Sequence, residues 1–119
     1  MIPVVWLVNH PEAWDQGMVD YALTGRLWPT GYEFTHQVGF DGLNAPGAVV
    51  VVPAANQAYR AGEINATIAG LDWVLVILTS DEERRFPLDA LDHPNMRAWL
   101  QYPREDDHAG GYLPVGWPG

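Results

Sequence analysis

Two kinds of hydrophobic pattern alternate along this chain. The first is a short unbroken apolar run rich in β-branched residues, clearest at Trp73–Thr79, where it stops abruptly at Ser80, Asp81, Glu82 and Glu83. Such a run predicts a strand buried on both faces, with its polar end at the rim of a sheet. Pro3–Val8, stopped by Asn9, His10 and Pro11, and Ala48–Val52, ended by Pro53, read the same way. The second pattern is helical. From Glu12 to Thr24, Trp14, Met18, Tyr21 and Ala22 recur at helical spacing, with Asn9 or His10 as cap, Pro11 and Glu12 in the first turn and Gly25 at the stop. Gly17 inside this helix implies close packing on the sheet or an approach by another backbone. Ala61, Ile64, Ile68 and Leu71 mark a second helix, capped by Asn56 and closed near Gly70 and Asp72.

The remaining segments are less regular. Tyr32, Phe34, His36 and Val38 alternate with polar residues and predict an edge strand, followed by a loop over 39–46. Phe86–Leu91 has room for only a short helix, and His93-Pro94-Asn95 is a turn. Met96–Tyr102 predicts a last strand, with Met96, Ala98, Leu100 and Tyr102 on one face and a half-buried second face of Arg97, Trp99 and Gln101. Strands alternating with helices imply right-handed crossovers and a mainly parallel sheet. The expected fold is therefore α/β, a single small Rossmann-like three-layer domain of four or five strands over residues 1–103. Residues 104–119 form an irregular Gly/Pro-rich tail. Tyr112, Leu113 and Trp117 make that tail too apolar for a free linker, so it is expected to dock on the domain or on a partner.

Composition narrows the function. At 119 residues the chain has the size of one domain, and 48% hydrophobic against 18% charged residues is the balance of a folded one. The opening Met-Ile-Pro-Val-Val-Trp lacks a basic leader, so the expected setting is cytoplasmic. There is no cysteine, which removes disulfides and thiolate chemistry. A net charge of −9, with arginine as the sole basic residue besides histidine, disfavours nucleic-acid phosphates and anionic membranes. The same bias fits a GC-rich genome, bacterial or phage.

In an open parallel sheet ligands bind outside the carboxyl ends of the strands. That rule gathers Asn9 and His10, Pro53 to Asn56, Thr79 to Glu83, and Tyr102 to Arg104. Asp81, Glu82 and Glu83 suit a cation or sugar hydroxyls; equally, they form an acidic turn that solvates a strand end and meets Arg84, Arg85 or Arg104. His10 suits a base or a hydroxyl ligand, or simply caps the helix. Asp106, Asp107 and His108 match no metal-ligand spacing, so no metal is expected. No glycine-rich phosphate turn follows the first strand and no Gly-Lys-Ser/Thr is present, so no cofactor is expected; no nucleophile elbow or His-Glu-x-x-His occurs either.

The succession Val49-Val-Val-Val-Pro-Ala54, Ile64-Asn-Ala66, Trp73–Glu83, His93-Pro-Asn95, Trp99-Leu-Gln-Tyr-Pro-Arg104 and Leu113-Pro-Val-Gly116 resembles the amino-terminal half of exostosin-like glycosyltransferases of the GT-B fold. The resemblance implies that Asp81, Glu82 and Arg104 face the cleft in which such enzymes react. It also implies that the nucleotide-sugar half lies outside this chain. Three readings follow. One is a non-catalytic half-domain that binds a protein partner, a second copy of itself or, if phage-encoded, a host protein. Another is a glycosyltransferase component that holds a sugar acceptor and takes its donor site from a second subunit. The third is an unrelated small α/β domain such as a receiver, which suffers from the lack of lysine and of paired acids after the first strand.

Overall fold

The β-branched runs become the middle of one sheet. The computed structural model describes residues 1–8, 11–24, 32–54, 59–81, 86–101 and 112–113. Their order is β1 (Ile2–Trp6), α1 (Ala13–Ala22), β2 (Phe34–Val38), β3 (Gly47–Pro53), α2 (Ala61–Ile68), β4 (Trp73–Thr79), β5 (Met96–Leu100) and β6 (Tyr112–Leu113), with a 3-10 turn at Leu88–Ala90. The strands lie in the order β2-β1-β3-β4-β5-β6 and every neighbouring pair is parallel. The fold is the expected Rossmann-like α/β domain, with five full strands and a two-residue sixth at the edge. Through β6, Tyr112 and Leu113 stand opposite Ala98 and Trp99 of β5.

The strand period of two divides the core cleanly. Val5, Leu7, Ala48, Val50, Val52, Val74, Val76, Leu78, Ala98 and Leu100 point to one face, where α2 supplies Ile64 and Ile68 and the turn after β4 supplies Phe86, Leu88 and Leu91. Val4, Trp6, Val8, Val49, Val51, Leu75, Ile77 and Trp99 point to the other, where α1 supplies Val19, Ala22 and Leu23. All of β3 is buried. At about 1.5–3 kcal/mol for each fully buried large aliphatic side chain, these central strands carry most of the hydrophobic drive to fold.

Several local expectations are corrected. The cap of α1 is Glu12 in extended conformation, and Pro11 precedes it, because the first helical bond is Gln16 N to Glu12 O at 3.0 Å. The buried stripe of α1 is Asp15, Val19, Ala22 and Leu23, whereas Tyr21 is 47% exposed. Gly17 is exposed and has no neighbour within 4 Å of where a Cβ would stand, so neither close packing nor an approaching backbone among the described residues explains it. The cap of α2 is Arg60, whose N–H donates to Glu63 Oε1 at 3.2 Å; Asn56 lies outside the described residues. Trp99 is 1% exposed and not half-buried, since α1 shields that face of β5. Close approach explains another glycine. A Cβ on Gly47 would fall 1.9–2.2 Å from the Trp73 ring, which lies across it from the paired strand.

Candidate functional site

The first crossover carries the chain from β1 to β2 on one side, and β3 then returns to the other side of β1. That reversal at β1 and β3 is where this class of sheet opens a crevice at its carboxyl edge. The described groups along the edge are Leu7 and Val8 after β1, Pro53 and Ala54 at β3, Thr79–Asp81 at β4 and Gln101 after β5. Asn9, His10, Glu82, Arg104 and Trp117 lie outside the described residues.

The polar side chains of this edge hold one another. Ser80 follows β4 with φ 59°, a left-handed conformation that a non-glycine residue adopts only when its surroundings hold it there. Three hydrogen bonds do so. The Ser80 hydroxyl donates to Asp15 Oδ1 of α1 at 3.0 Å, and the Ser80 N–H donates to Gln101 Oε1 at 2.9 Å. The Gln101 N–H in turn donates to Leu78 O at 3.1 Å. Asp15 is 2% exposed, so its carboxylate is a buried group held by a hydroxyl and placed in the first turn of α1, where the positive helix end favours it. Asp81 is 6% exposed, and its Oδ2 accepts from the N–H of Phe86, a core residue, at 3.0 Å. Beside them the Thr79 hydroxyl and the Trp99 indole N–H are buried with no hydrogen-bond partner among the described residues. His93 closes its own turn: Nδ1 accepts from Asn95 N at 2.9 Å, which leaves Nε2–H to donate to Leu71 O at 2.7 Å.

A more open feature lies on the α1 face, between that helix and the edge strand. A cleft of about 400 Å³ is lined by Trp6, Pro11, Gln16, Asp20, His36, Gln37 and Val38. Its geometry follows from two periods: Gln16 and Asp20 are four apart on α1, and His36 and Val38 are two apart on β2. Trp6 forms the base, 3% exposed, and donates its indole N–H to His36 Nδ1 at 3.0 Å. The neutral imidazole therefore carries its proton on Nε2. Gln16, which lines the cleft, donates its amide N–H to Pro11 O at 3.0 Å, and its Oε1 has no hydrogen-bond partner among the described residues. Neither the Asp20 carboxylate nor His36 Nε2 has a hydrogen-bond partner among the described residues.

The sequence points to the edge but not to these groups. Asp15 is legible in retrospect as a polar residue at i in an i, i+4, i+7, i+8 apolar stripe, and His36 as the polar member of an alternating strand face. The meeting of Ser80 with Asp15 and Gln101 spans 65 and 21 residues, and no local pattern announces it. Among the described residues no group of three or more His, Cys, Asp or Glu is arranged to hold a metal ion, and no helix is long and apolar enough to cross a membrane. No family model, curated protein or solved structure matches the chain.

Proposed function

We propose that this chain is a glycosyltransferase-like half-domain that works as a binding and protein-interaction module and not as a catalyst. The observation that carries this reading is how the carboxyl-edge groups are used. Asp15, Asp81 and Gln101, placed where a parallel sheet meets its ligand, each accept a hydrogen bond from Ser80 or from the Phe86 backbone and so hold strand ends in place. A general base or a sugar-binding carboxylate needs a free face toward substrate, and the burial of Asp15 and Asp81 removes it. The partner is a protein or a second copy of the chain. Under the phage reading of the arginine-only basic composition, it is a host protein.

A second reading, in which the chain holds a sugar acceptor and a separate subunit brings the nucleotide sugar, is favoured by one observation. The cleft beside α1 sets a carboxylate, an amide and an imidazole against apolar walls, a combination that suits hydroxyl groups. Saturable binding of simple glycosides at that cleft checks the second reading; the assay that tests the proposal itself incubates the purified chain with UDP-, GDP- and CMP-linked sugars and follows nucleotide release. The proposal expects release at the spontaneous rate, with or without simple glycoside acceptors. Turnover above that rate, lost in Asp81→Asn while the circular dichroism spectrum is retained, would overturn it.

A further inference from the structure

We infer that the Trp6–His36 cleft is the docking point for an arginine side chain of a basic protein segment. The inference rests on the binding-module reading above and names the chemistry of its partner. The described lining contains no arginine, and its polar groups without a partner among the described residues are two acceptors, the Asp20 carboxylate and Gln16 Oε1 on one wall, and one donor, His36 Nε2–H. The opposite wall is the imidazole of His36 with the isopropyl group of Val38, which is 52% exposed although it sits on a strand face that is otherwise directed at α1. A guanidinium has only donors and a flat face. It matches a carboxylate and an amide oxygen on one side, while its methylene stem lies along Val38 and Pro11. A chain with a net charge of −9 adds long-range attraction for such a partner and repels an acidic one. The Trp6 to His36 hydrogen bond, with ring centroids 6.2 Å apart, fixes the imidazole before any ligand arrives. Pre-organisation of this kind reduces the ordering that binding must impose.

The test uses the full chain, isotope-labelled, and titrates acetyl-tetra-arginine amide while recording amide and indole resonances. An acetyl-tetra-glutamine amide and the methyl glycosides of glucose and galactose are run as comparisons. Saturable shifts at the Trp6 indole, His36 and Val38 with the arginine peptide alone are expected. Asp20→Asn, at an exposed carboxylate that holds no other group among the described residues, should weaken that binding by about 1.4-fold to fivefold, the range of one exposed ion pair. Val38→Lys places a like charge on the opposite wall and should abolish it. Binding unchanged in both variants, or shifts that map away from the cleft, would overturn the inference but leave a binding module. Shifts at the cleft with the glycosides and none with the arginine peptide would overturn it in favour of a sugar ligand, and nucleotide-sugar turnover would overturn the module reading itself.

Discussion

At the scale of single residues, two glycines with opposite surroundings give opposite expectations. Gly17 stands in the interior of α1 facing open space, with Met18, Tyr21, Trp99 and Gln101 around an apolar hollow of about 400 Å³. A glycine there loses more backbone entropy on folding than alanine does, and no contact repays the loss. Gly17→Ala should raise stability by about 0.5–1 kcal/mol. Gly47 is the reverse case, because an added methyl group would overlap the Trp73 ring, far inside van der Waals contact. Gly47→Ala should lower stability by about 1–3 kcal/mol or more, as overpacking does, and a smaller residue at 73 should restore part of it. Urea unfolding of both variants checks the pair. A stabilised Gly47→Ala would mean that the indole moves aside freely, and a destabilised Gly17→Ala would show that the hollow beside it is occupied in solution.

At the scale of elements, the lock between α1 and the end of β4 is the feature with most consequence. Ser80 joins the helix through Asp15 and the neighbouring strand end through Gln101, so it sets the spacing of three elements at the carboxyl edge. Removing the hydroxyl leaves a buried carboxylate without that donor, at a cost of about 1–3 kcal/mol. A double-mutant cycle of Ser80→Ala and Asp15→Ala should therefore return a coupling of about 0.5–3 kcal/mol in thermal or urea unfolding. Additive losses would mean that the pair contributes nothing as a pair. The same lock shows where local reading stops. Trp73–Thr79 is legible to the residue because a continuous β-branched run buried on both faces has no other regular solution. The edge strand Phe34–Val38 is legible from its alternation, although two residues shorter than the pattern suggests. The cap of α2 is misread because Asn56 has the better side chain, yet the helix begins where Arg60 and Glu63 pair around its first turn. The full burial of Trp99 escapes because it depends on α1, more than 75 residues away in sequence, lying over that face. Periodicity names which residues alternate. It does not say what covers them.

At the scale of the whole molecule, stability and the candidate cleft lie in different parts of the sheet. β3 is bonded on both sides, to β1 and to β4, and its residues Val49–Val52 are all fully buried. Among the described strands β2 is bonded only to β1, and three of its five residues, Thr35, His36 and Val38, are exposed. Opening the middle of the sheet exposes both apolar faces, whereas detaching β2 exposes one strand of mixed character and breaks the Trp6 to His36 bond. Amide hydrogen exchange should therefore be slowest over Val49–Val52 and Val74–Leu78, reporting global unfolding, and faster by orders of magnitude over Phe34–Val38 through local opening. This gradient has a functional reading. The low-stability edge carries one wall of the cleft, so a ligand that bridges α1 and β2 must suppress that local opening by the free energy of its own binding. With the arginine peptide bound, exchange should slow in β2 and in β3 by the same factor, because the local opening of β2 and global unfolding both release the ligand. Slowing in β3 without slowing in β2 would place the ligand elsewhere, because β2 would then still open with the ligand bound.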